Sequence, residues 1–104
     1  MKKIAETELK ALAQENAKTI MIRSYVNGSS YDNLRDSTEE ESKIIYSILY
    51  GALLAIRWRS GDIQAVKDTA EFIAGVMLRD SSSANCYDTI YNRIQDIFNN
   101  NMAD

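Results

Sequence analysis

Residues 43–57 read KIIYSILYGALLAIR. Lys43 and Arg57 bracket thirteen residues that carry no charge, and only Ser47 interrupts the aliphatic and aromatic character with a small hydroxyl. Set at about 100° per residue, the apolar side chains go almost all the way round the helix, and such a helix is buried by several neighbours at once. The run from Ile44 to Ile56 falls short of the ~20 residues a membrane span needs. It therefore reads as the central helix of a helical domain. Leu53, mid-helix and away from the tyrosines, is expected to be fully buried. One sector differs: Lys43, Tyr46, Ser47, Tyr50, Leu54 and Arg57 line up along it. Gly51 lies elsewhere on the circumference, where a missing side chain lets a second helix approach closely.

Upstream, Ser37 with Glu40 or Thr38 with Glu41 has the spacing of a capping box, and Glu39 to Glu41 suit the positive end of a helix. Before that, an amphipathic segment extends from about Ala5 to Tyr25, with Ala5, Leu9, Leu12, Ala13, Ala17 and Ile20 on one stripe. Asn16 lies inside this stripe, either as an amide bonded to backbone or as a polar device between helices. Asn27 and Gly28 close the segment, and a loop to Asp36 follows, with at most one helical turn around Tyr31 to Leu34.

Downstream, Gly61 ends the central helix and Asp62 caps the next. That third segment, to about Arg79, has a main stripe of Ile63, Val66, Ala70, Ile73 and Met77, which Ala65, Thr69, Phe72 and Val76 widen past half the circumference. So wide a face requires two neighbours or a second chain. Gln64, Lys67, Asp68 and Glu71 fall on the remaining arc and are expected at the surface. A fourth segment, capped by Ser82 or Ser83, carries Cys86, Tyr87, Ile90, Tyr91, Ile94, Ile97 and Phe98 on a narrow stripe. It ends at Asn99 to Asn101, and residues 102–104 are expected to fray. The expected architecture is all-α, a compact bundle of four main helices with a central, largely buried second helix, and residues 1–104 forming a single helical domain. The absence of proline and the four glycines favour it.

Little points to catalysis. Histidine is absent and Cys86 is the lone cysteine, so the commonest general base, the usual nucleophile–base pairs and a zinc ligand set are missing. No cofactor, no metal and no enzyme activity are expected. A net charge of −3 without a basic stripe makes nucleic acid an unfavoured partner, and the charged start of the chain does not read as a secretory signal, so a cytoplasmic location is expected. What is left is binding. The candidate partner-binding strip is Lys43, Tyr46, Tyr50 and Arg57, extended by Trp58 or Arg59; the simpler arrangement has both tyrosines packed in the bundle and Trp58 turned inward. Phe72 and Val76, on the outer flank of the third segment, mark a candidate homodimer interface. The expected function is a non-enzymatic protein-interaction module, by analogy with small phage or mobile-element inhibitors and modulators of host complexes that act by occlusion. The alternative is a small nucleic-acid-binding regulator using Arg57, Trp58 and Arg59.

Overall fold

The computed structural model describes residues 3–25, 32–59, 62–77 and 87–103, in the order α1 (Glu6–Thr19), β1 (Met21–Tyr25), β2 (Asp32–Asp36), α2 (Glu39–Arg59), α3 (Ile63–Met77) and α4 (Tyr87–Asn101). The four helices pack as a bundle in which α2 touches α1, α3 and α4. The reason is the uncharged stretch itself. Ile45, Ile48, Leu49, Ala52, Leu53 and Ile56 are buried on several sides, against Leu9, Ala13 and Ala17 of α1, Val66, Ala70 and Ala74 of α3, and Ile90, Ile94 and Ile97 of α4 within one core cluster. Leu53 is fully buried, as its position in the helix requires.

Thr38 and Glu41, not Ser37 and Glu40, form the capping box. The Thr38 N–H donates to Glu41 Oε1 at 2.9 Å, and the Glu41 N–H donates to Thr38 Oγ1 at 3.1 Å. Asp62 caps α3 as expected, accepting from the Ala65 N–H at 3.3 Å. The expected closing signals at Gly28 and Gly61, the caps at Ser82 and Ser83, and Cys86 lie outside the described residues.

Three expectations are corrected. The first segment is not helical to Tyr25, and the residues before Asp36 are not all loop. α1 stops at Thr19, and β1 pairs antiparallel with β2, Met21 opposite Asp36 and Ile22 opposite Arg35. The backbone changes period here: Ile20 and Ile22 are buried while Met21 between them is exposed, an alternation that only an extended chain provides. β-Branched Ile20 and Ile22 suit that conformation. The partner strand is anchored by Arg35, whose guanidinium forks onto both oxygens of Glu41 at 2.8 and 3.0 Å.

Lys67 is also misplaced by the helical wheel. It is buried, its ammonium donating to Gln95 Oε1 at 2.6 Å and lying 4.1 Å from the centre of the Tyr91 ring. The long aliphatic stem covers apolar surface between α3 and α4, and the ring face supplies the attraction that water would otherwise give. Gln64 donates to the Tyr91 hydroxyl and to Asp68. Finally, Met102 does not fray. Its side chain is fully buried, and the N–H groups of Met102 and Ala103 both donate to the Phe98 carbonyl at 2.8 Å, closing α4.

Asn16 meets both of its expected roles. Its Nδ2 donates to the Leu12 carbonyl at 2.7 Å, and its Oδ1 accepts from Arg93 of α4 at 3.0 Å; Arg93 also donates to Thr19 Oγ1. Among the described residues no buried side-chain polar atom is left without a partner.

Two stability outcomes follow from this packing. Leu53→Ala should cost about 2–5 kcal/mol through lost transfer energy plus a cavity, read as a lower denaturant midpoint. Arg35→Ala should cost about 1.5–3 kcal/mol, because it removes a two-pronged charged hydrogen bond to a buried carboxylate. In hydrogen exchange the loss should be largest in β1 and β2.

Candidate functional site

The outward part of α2 divides into two faces. Tyr50 and Arg57 are seven residues apart and share a line, with Tyr46 one turn before Tyr50; this line borders α1. Gly51 and Trp58, also seven apart, share a second line rotated toward α3. The structure therefore brings Tyr46, Tyr50 and Arg57 together and sets Trp58 apart from them. The side chains of Arg59 and Val76 lie outside the described set.

On the first face, the Tyr46 and Tyr50 rings are stacked with centroids 5.8 Å apart and planes 3° from parallel. Both are half-buried against the core, so the packed arrangement of the tyrosines holds, with each residue still partly at the surface. The Tyr50 hydroxyl donates to Glu6 Oε1 of α1 at 2.7 Å, and Lys10 Nζ stands 5.8 Å from the Tyr50 ring centre. Lys43 is exposed and reaches Glu39 only at 3.9 Å, one turn back. Lys18, Lys43, Ala17 and Tyr46 help to line an open groove of about 250 Å³ between α1 and α2. Lys10 and Lys18 were missed in the sequence because they belong to another helix; only the packing of α1 on α2 brings their charges to the tyrosines.

The Tyr50 phenol is pushed up from its ordinary 10.0 to about 12. The hydrogen bond to the Glu6 carboxylate is the main cause; partial burial and the neighbouring negative charge add to it, and Arg57 opposes it.

The second face is a groove between α2 and α3 of about 410 Å³, walled by Gly51 and Ala55 on α2 and by Ala65 and Thr69 on α3, with Ile48, Val66 and Ile73 deeper or along its edge. Among the described residues Gly51 does not serve helix packing, contrary to expectation: a Cβ built there meets none of them within 4 Å. Trp58, expected to turn inward, is 81% exposed, and Phe72 is 73% exposed. The wide apolar arc of α3 is thus uncovered along Ala65, Thr69, Phe72 and Ile73. Among the described residues no cluster of three or more metal-ligating side chains occurs, and no helix is long and apolar enough to cross a membrane.

Compared with known proteins, the chain matches no family model, no curated protein and no solved structure.

The tyrosine face carries a direct spectroscopic outcome. A group held protonated in the fold stabilises it below its unfolded value and loses that contribution as pH rises through the folded one. The Tyr50–Glu6 contribution should accordingly be intact below about pH 10 and disappear as pH climbs through about 12. Among the six tyrosines, Tyr50 should be displaced upward in a ring-carbon NMR titration, and Glu6→Gln should bring it back toward 10.0.

Proposed function

We propose that this chain is a non-enzymatic protein-interaction module whose partner-binding face is the stacked tyrosine strip of α2, and that it takes an acidic segment carrying an apolar anchor. The observation that carries this reading is the framing of the Tyr46–Tyr50 stack by cations from two helices: Lys10 and Lys18 of α1, Lys43 and Arg57 of α2. Two acids stand there as well, Glu6 bonded by the Tyr50 hydroxyl and Glu39 paired with Lys43, and the four cations outnumber them. On a chain of net charge −3 this is a local surplus of positive charge. It favours an approaching acidic surface and repels a basic one. Stacked tyrosines offer a large, stiff apolar area with polar tips and little rotamer freedom to lose. Binding acts by occlusion in this reading, covering a surface its partner needs, in the manner of a small phage or mobile-element modulator.

A second reading rests on one observation, the exposure of Trp58 beside Arg57. A ring so placed can stack on a nucleic-acid base while arginines meet phosphate. Binding to random-sequence DNA at low salt, steeply weakened by added salt, is its signature. No binding at low salt removes it.

A random-peptide selection against the wild-type chain tests the first reading. It should enrich acidic sequences with an aromatic or aliphatic anchor. The Tyr50→Ala, Arg57→Ala double variant should lose about tenfold or more in affinity with its helical circular dichroism intact. Selection of basic or neutral sequences, or affinity indifferent to the double substitution, overturns it.

A further inference from the structure

The groove between α2 and α3 poses a separate question, because the chain sustains a cost there that nothing among the described residues explains. Gly51 stands in the middle of a 21-residue helix, where glycine costs about 1 kcal/mol relative to alanine. Glycine is usually accounted for at such a place by the close approach of another element. Among the described residues no element approaches, since an added Cβ at Gly51 meets nothing within 4 Å there. Opposite it, the α3 wall is equally low at Ala65 and Thr69. The floor is made of small residues, and among the described residues the only charged group on its lining is Asp62, already accepting a hydrogen bond from the Ala65 N–H.

We infer that the occupant is α3 of a second copy of this chain, lying in the α2–α3 groove in a two-fold, reciprocal contact. Three observations select a copy over an unrelated helix. First, knob and hole are on the same molecule. The hole is at Gly51, Ala55 and Ala65, and the knob is Phe72, 73% exposed on the uncovered flank of α3. An unrelated helix would fill the hole and leave Phe72 in water; a copy satisfies both.

Second, the ends match. Three residues separate α2 from α3, too few to return the chain along the bundle, so the two helices run antiparallel. Trp58 therefore stands near the Asp62 end of the groove and Phe72 toward the other. A two-fold axis through the middle of the groove, near Thr69, carries Phe72 of each copy to the Trp58 end of its partner, where two exposed aromatics bury one another twice.

Third, charge permits it. A two-fold contact brings every residue near its own duplicate, so a charged face repels itself. The flank of α3 formed by Ala65, Thr69, Phe72 and Ile73 carries no charge, whereas the tyrosine strip, framed by Lys10, Lys18, Lys43 and Arg57, would set like charges together. The two faces thus divide their roles, one toward a copy and one toward an acidic partner.

The contact is of modest size. The 15 residues of α3 extend about 22 Å, and two helices side by side span about 20 Å, a footprint below the roughly 800 Å² per partner of a standard interface. The dimer is accordingly weak and concentration-dependent.

The chain holds a single tryptophan, so its emission reports this contact alone. Sedimentation equilibrium and fluorescence are to be followed together from about 10 μM to about 1 mM, a span that brackets a weak dimer. Mass should rise from monomer toward dimer while Trp58 emission shifts to the blue and its quenching by acrylamide declines over the same range. Phe72→Glu and, independently, Gly51→Leu should keep the chain monomeric with unchanged circular dichroism, both positions being open to solvent. The Tyr50→Ala, Arg57→Ala variant should dimerise as the wild type does, which separates this contact from the partner-binding strip. A monomeric mass throughout overturns the inference. So does dimerisation without any change at Trp58, or dimerisation that both groove variants retain.

Discussion

One carboxylate does more than any other polar group to fix this structure. Glu41 is buried in the first turn of α2, where it closes the capping box with Thr38 and receives both prongs of Arg35. The first interaction decides at which residue α2 begins. The second fastens the β1–β2 hairpin across that same helix end, since Arg35 pairs with Ile22 in the sheet and Ile22 is itself in the core. Because α2 is the helix that α1, α3 and α4 all touch, its starting residue sets which of its side chains meet each neighbour. Shifting the start by a single residue would rotate α2 by about 100° and turn the tyrosines toward a different helix.

Much of this was legible along the chain and part of it was not, for reasons that differ by element. The central helix was readable because a long apolar stretch leaves no alternative to burial, and the burial of Leu53 follows from it. The caps at Thr38 and Asp62 were readable because capping is local, depending on residues three apart. The hairpin was hidden. Its signal is the alternation at Ile20, Met21 and Ile22, too short to stand out beside fourteen helical residues, and its anchor is the pairing of Arg35 with Glu41 across the helix start. Lys67 and Met102 failed for a related reason. A helical wheel counts lysine as solvent-facing and chain ends as loose, whereas Tyr91 and Gln95 on another helix, or a core still open at its end, reverse both assignments.

The candidate site divides along the same line. Which residues of α2 could form a strip was evident from their spacing, and Tyr46, Tyr50, Lys43 and Arg57 do share a surface. What spacing could not show was the company they keep: Glu6 and Lys10 against Tyr50, Lys18 beside Tyr46. Nor could it show that Trp58 stays exposed, on the helix line of Gly51 rather than on theirs. Trp58 stands about 100° round the helix from Arg57, and only the neighbouring helices showed where one face ends and the next begins.

The burial of Met102 bears on how the chain is made. Ile90, Ile94, Ile97 and Met102 supply a wall of the core that α2 needs, and Arg93 ties α4 back to Asn16 and Thr19, over seventy residues earlier. A nascent chain that has emerged only to residue 89 therefore presents α2, the most apolar helix, with one side bare. Cooperative closure waits until residue 102 has cleared the ribosome, because the core lacks one wall without it. Throughout that interval the uncharged stretch of α2 is open to chaperones, and a ribosome stalled before residue 102 leaves a chain fit for degradation rather than for folding.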